Sequence, residues 1–126
     1  VPLKRMVGRQ TYTGVIHMQF SDLQLIRLDR DLYLDLHLHK IIKPGGFKLP
    51  LTATQARLLA CLAQEIGHPV SADDLLRYTW GDDIIAGKKD LYTCVNKIRM
   101  HLEENHRKPR YLISIHGFGY MLFPRD

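Results

Sequence analysis

Three stretches of this chain carry residue types at spacings that do chemistry elsewhere. They are the D-x-H-x-H of Asp35, His37 and His39, the H-G-F-G of residues 116–119, and the polar residues threaded through KKDLYTCVNKIRM, Lys88 to Met100. In the first, donors at alternate positions of a strand project together, as a zinc site requires. No fourth ligand stands at a recognisable spacing, and Asp31 and Tyr33 continue the same polar face. The stretch therefore reads as the solvent side of a half-buried strand, and a metal hydrolase ranks behind a binding function. In the second, a glycine loop that cradles phosphate should succeed a strand and open a helix, so that amides and helix dipole converge on the anion. The residues after HGFG are YMLF and then Pro124, which leave no room for a helix. HGFG is instead expected to be the tip of a β-hairpin, with Gly117 and Gly119 supplying positive φ. No Ser or Cys sits in a nucleophile signature, so no catalysis, cofactor or metal is expected.

The third stretch carries the functional expectation. Leu91, Val95, Ile98 and Leu102 are spaced 4, 3 and 4 apart, a narrow helical seam. With that seam inward, the opposite face presents Lys89, Thr93, Asn96, Lys97 and Met100. Tyr92 and Arg99 flank it on one side, Asp90 and Cys94 on the other. A solvated helix usually interleaves Glu with Lys at i, i+4, and this one does not until Glu103 and Glu104. Lys, Asn and Thr match what the DNA major groove offers: guanine acceptors, the adenine edge and the thymine methyl.

The elements that must position this face are legible from periodicity. Residues 1–14 read as a basic linker. From 15 to 51 the pattern alternates, with Leu32, Leu34, Leu36 and Leu38 on one side and KPGGFK as a turn, which predicts an antiparallel sheet of three or four strands. From 52 to 105 the pattern is helical. Thr52 and Gln55 form a capping box before Leu58, Leu59, Leu62, Ala63 and Ile66, with Gly67 as the stop. Ser71 and Asp74 form a second box before Leu75, Leu76 and Trp80. A loop over 81–87 comes next, then a third helix from Lys88 to about 104, and a hairpin over 110–123 with Arg110 at its base and His116 at its tip. A short capped helix, a loop, a longer helix and a hairpin make an α+β winged helix-turn-helix over 15–126.

Composition agrees. The chain has 126 residues, enough for one core, and 18 Lys and Arg against 13 Asp and Glu. The excess is concentrated: residues 84–125 hold eight basic against three acidic side chains, whereas 51–83 hold two against five. A basic C-terminal third suits an acidic partner. The longest strictly apolar run, LLACLA, is too short to cross a bilayer. The opening VPLKRM has no leader core and no initiator Met, so a piece of a longer protein is expected. Cys61 and Cys94, 33 positions apart, fit no ligand spacing and read as free thiols in a reducing, cytoplasmic setting.

Taken together, LTATQARLLACLAQEIGHPVSADDLLRYTWGD, KKDLYTCVNKIRMHLE and RYLISIHGFGYML resemble the winged-helix effector domains of OmpR/PhoB-type response regulators, the proteins of two-component systems. The carrying positions are Leu51-Thr52, Ser71, Trp80-Gly81, Arg99 with Leu102, and Gly117, Gly119 and Tyr120, in register over 51–123. The resemblance implies sequence-specific double-stranded DNA binding in transcription regulation. It implies Lys89 on phosphate, Thr93, Asn96 and Lys97 on base edges, and His116 at the minor groove. Lys88, Arg99, Met100 and Arg110 are expected in the same interface. It also implies a loop holding Asp82, Asp83, Ile84 and Ile85 that touches RNA polymerase, and assembly as tandem dimers on direct repeats. The competing reading is a winged-helix protein-interaction module with little DNA affinity.

Overall fold

Leu28, Leu34 and Ile41 decide the first sheet, because each lies inward and is fully buried. The computed structural model describes residues 25–82 and 85–125. Its first four strands are consecutive in the chain: β1 (Leu25–Asp29), β2 (Leu32–Asp35), β3 (Lys40–Ile42) and β4 (Lys48–Pro50), antiparallel throughout. Leu34 stands opposite Ile26 on one side and Ile41 on the other, and Ile41 opposite Leu49. The expected linker over 1–14 and the strand pattern expected from Val15 to residue 24 lie outside the described residues.

The long alternation breaks earlier than its pattern predicts. β2 stops at Asp35, whose carboxylate accepts the N–H groups of His37 (3.1 Å) and Leu38 (2.9 Å). That local bond competes with the strand ladder and turns the chain. His39 takes a positive φ of 56° and Leu38 is 59% exposed, so Leu38 does not join the inward leucines. His37 and His39 sit on a turn, not on the strand face that carries Asp35. Among the described residues no group of three His, Cys, Asp or Glu is arranged to hold a metal ion.

Three helices form the body: α1 (Ala53–Gln64), α2 (Ala72–Trp80) and α3 (Lys88–Leu102). The Thr52 capping box is complete: Gln55 N donates to Thr52 Oγ1 (3.1 Å) and Thr52 N to Gln55 Oε1 (3.0 Å). The second box is half formed. Asp74 N donates to Ser71 Oγ (3.1 Å), but the Asp74 carboxylate takes Arg77 Nη2 at 2.8 Å and does not reach back. At the start of α3 the Asp90 carboxylate accepts Gly87 N (2.8 Å). The predicted seam is the buried one: Leu91, Val95, Ile98 and Leu102 are each at most 1% exposed. They pack with Leu58, Leu59, Leu62 and Leu75 into one core, with Trp80 at its edge. Cys61 and Cys94 are free and buried, and burial pushes both thiols up to about 11, which leaves them protonated. No helix among the described residues is long and apolar enough to cross a membrane.

The hairpin is β6 (Leu112–Ile115) and β7 (Gly119–Leu122), and β7 also pairs with β5 (Val70–Ser71) in a three-stranded sheet ordered β5-β7-β6. Of the two tip glycines, only Gly117 has a positive φ, at 70°. Gly119 is required for a different reason. A Cβ there would overlap the Val70 carbonyl oxygen and stand 2.8 Å from Ala72 N, because β7 crosses directly against β5.

Candidate nucleic-acid interface

The outer face of α3 is free as its periodicity requires. Lys88, Lys89, Thr93, Lys97 and Met100 are exposed and Asn96 is half-buried. Tyr92 stands beside them at 55% exposure, so a substantial part of an aromatic face is open to a partner. Asp90 is the one acid in the first turn, and its carboxylate is occupied with the helix start.

Arg99 is a correction. Its expected place is outward, in the DNA interface, yet it is 6% exposed. Its Nε donates to Leu112 O and its Nη2 to Ser114 Oγ, both at 2.9 Å, and its guanidinium lies 5.7 Å from the Tyr120 ring centroid. The charge sits at the joint between α3 and the wing, held by β6 and not projecting from the exposed face of the helix. One turn later Glu103, 5% exposed, does the complementary task. Its carboxylate accepts Arg110 N (2.7 Å), Tyr111 N (3.0 Å) and Leu112 N (2.8 Å). Arg99 takes a carbonyl of β6 and Glu103 takes the amides leading into it. The wing is thereby fixed in angle to the helix. Sequence reading misses Glu103 in this role altogether.

Two further contacts tie this joint to the first sheet. Lys43 Nζ donates to His101 O and Leu102 O, both at 3.2 Å, capping the carbonyl end of α3 where a cation is favoured. Tyr111 Oη donates to Asp29 Oδ2 at 2.6 Å, and Arg110 Nη1 stands 3.8 Å from the same oxygen. The Tyr111 hydroxyl, with the Arg30 amide next, holds the Asp29 carboxyl below its ordinary 3.8; burial and then that bond push Tyr111 up to about 12. A depressed carboxylate contributes stability at pH above its unfolded value and loses it as pH falls through the folded one. Tyr111→Phe is therefore expected to lower the urea midpoint by a constant amount above about pH 5. The gap to the wild type should narrow as pH falls below 3.8. Urea titrations of both proteins across that range check this, and a gap that does not change with pH would refute the linkage.

Arg110 remains exposed at the base of the wing, and His116 is exposed at its tip. The tip is not a free finger, however: Ala72 N donates to Phe118 O (2.9 Å), stitching its far side to the start of α2. The Phe118 side chain, 50% exposed, shares the tip with His116 and is an addition to the residues expected there. In the loop after α2, Asp82 is exposed and Ile85 fully so. Asp83 and Ile84 lie outside the described residues.

A solvent-facing helix with Lys, Thr and Asn, rigidly joined to a hairpin, has the arrangement of a winged helix-turn-helix. Comparison with known proteins leads to the same place. Residues 46–122 match the family described as "Transcriptional regulatory protein, C terminal". Over 77 residues the chain is 35% identical to the DNA-binding dual master transcriptional regulator RpaA of Synechocystis, covering 61% of this chain and 32% of that protein. Among solved structures, the Thermotoga maritima response regulator DrrB, an OmpR/PhoB homologue, superposes with a TM-score of 0.70 at 23% identity, over 86% of this chain and 51% of that one. The Klebsiella pneumoniae RstA DNA-binding domain, solved in complex with the RstA box, gives 0.66 at 21%, over 81% and 99%. The chain thus spans about a third of the length of relatives such as RpaA. It belongs to the winged-helix, non-enzymatic DNA-binding domains that form the C-terminal effector part of OmpR/PhoB-type transcriptional regulators.

Proposed function

We propose that this domain binds double-stranded DNA sequence-specifically, with α3 in the major groove and the β6–β7 wing at the adjacent minor groove. Thr93, Asn96 and Lys97 read base edges, with Met100 offering an apolar contact. Lys88, Lys89 and Arg110 neutralise phosphates, and His116 reaches the minor groove. The observation that carries this is the free Lys89/Thr93/Asn96/Lys97 face on a helix whose other side is fully buried. Arg99 is withdrawn from the set, since its guanidinium is engaged with β6. The exposure of Asp82 and Ile85 supports a contact of that loop with RNA polymerase, and family membership supports tandem binding on direct repeats. A regulator of this kind acts where the chromosome is, in the cytoplasm.

Selection of bound duplexes from a random pool tests the reading, because a recovered motif gives both base preference and half-site spacing. Lys97→Ala should weaken binding and relax preference at one base pair by roughly 1–3 kcal/mol. Equal loss on every sequence would move Lys97 to the backbone. No enriched motif, with binding insensitive to salt, would favour a protein partner docking on Tyr92 and Met100.

A further inference from the structure

The wing carries almost no charge. From Tyr111 to Pro124 the chain has no Lys, Arg, Asp or Glu, so beyond Arg110 the hairpin offers a partner the imidazole of His116 and otherwise neutral side chains. Attraction to phosphate needs cations and cannot account for a hold by this tip. What the tip does present is a phenyl ring: Phe118 is 50% exposed and stands outside the core. Its mount is rigid. Phe118 N donates to Ile115 O (3.0 Å), closing a turn in which Gly117 takes a φ of 70°. Phe118 O accepts Ala72 N (2.9 Å), and the next residue, Gly119, is pressed against the backbone of Val70–Ala72. Both backbone groups of Phe118 are thus engaged, and only its side chain is left to meet a partner.

An apolar side chain brought to the minor groove can enter between two base pairs, part their stacking and kink the duplex. Such a wedge must resist the tendency of the bases to close again, which a ring on a fixed turn does and a ring on a loose loop does not. We infer that Phe118 is a minor-groove wedge that bends the DNA under the wing. This rests on the DNA-binding reading above and adds to it a deformation of the duplex and a source of sequence preference. Pyrimidine–purine steps such as TA unstack most readily, so the wedge favours such a step at the wing without a hydrogen bond to either base.

The test uses the intact chain and two duplexes that share the selected motif, with the step under the wing set to TA in one and AA in the other. Wild type should bend the TA duplex by at least about 20°, read by fluorescence transfer between its ends. A 2-aminopurine placed in that step should brighten as stacking is lost. Binding to TA should be about fivefold tighter than to AA. Phe118→Ala should bind the two duplexes alike and bend neither, whereas Phe118→Leu, which keeps an apolar wedge, should retain most of both effects. The hydrogen bonds of Phe118 are made by its backbone and its ring is half exposed, so both variants should melt near the wild type. The TA and AA comparison on the wild type needs no substitution and decides even if a variant fails to fold. A straight duplex under bound wild type, no preference for TA, or equal bending by folded Phe118→Ala would overturn the wedge and leave the DNA-binding reading intact. Failure of the wild type to bind either duplex would remove the reading itself, and the wedge with it.

Discussion

Glu103→Ala is expected to cost the domain roughly 4 kcal/mol, a large share of the ~5–15 kcal/mol that holds a domain of this kind together. Its carboxylate accepts three backbone amides from residues 110–112 while almost wholly buried. Removing it strands those amides where water reaches them poorly, and each stranded donor costs about 1–3 kcal/mol. Partial entry of water into the space left behind keeps the sum below the simple total. Glu103→Gln should fall between, since its amide offers one acceptor oxygen but turns a second donor toward the loop. Urea unfolding reads the change as a lower midpoint at unchanged m. Amide exchange should accelerate first at Tyr111 and Leu112. A cost under about 1 kcal/mol for the alanine variant would mean that the loop is held by something other than this carboxylate.

Gly119→Ala is expected to be nearly as damaging, about 3 kcal/mol, for a purely steric reason. Overpacking a close contact is usually relieved by moving a flexible side chain, but here the neighbours are the backbone of Val70, Ser71 and Ala72. The strand must move, and β7 is bonded to β5 and β6 on its two sides. Gly117→Ala is the matched control. It has nothing within 4 Å but does have a φ of 70°, so its cost should be only about 1–2 kcal/mol of left-handed strain. Because Gly119 sits where the wing meets the start of α2, its replacement should weaken DNA binding as well as folding. If the two variants melt together, the close crossing of β5 and β7 is not what demands glycine at 119.

These two residues also mark where sequence reading stops. The seam of α3 is legible because four apolar residues at helical spacing admit one orientation, and the Thr52–Gln55 box because its two halves stand three apart. β5 is not legible. Val70-Ser71 is too short to show a period, and it becomes a strand only because β7 arrives beside it. Glu103 reads as solvated because a long acidic side chain at a helix end usually is. The demand for its oxygens comes from amides further along the chain. Arg99 leaves a usable signal. At 100° per residue it lies about 70° from the seam centre, as Cys94 does on the other side, and both are buried. The buried face of α3 is broader than its four aliphatic residues, and the charge that lies inside it is the one fastening the wing. Leu38 departs from expectation for a local reason: the pattern continues, but the Asp35 side chain has already captured the next amides.

Dimethyl sulfate protection on a selected duplex probes both halves of the interface at once, since the reagent methylates guanine N7 in the major groove and adenine N3 in the minor groove. With α3 and the wing placed as proposed, bound protein should shield guanine N7 over one short cluster. It should also shield adenine N3 in an A·T stretch about half a helical turn, ~5 base pairs, to one side. His116→Ala should restore only the adenine signal, and Asn96→Ala with Lys97→Ala only the guanine signal. Bound complexes in which every guanine N7 stays reactive would show that the Lys89/Thr93/Asn96/Lys97 face is not in the major groove.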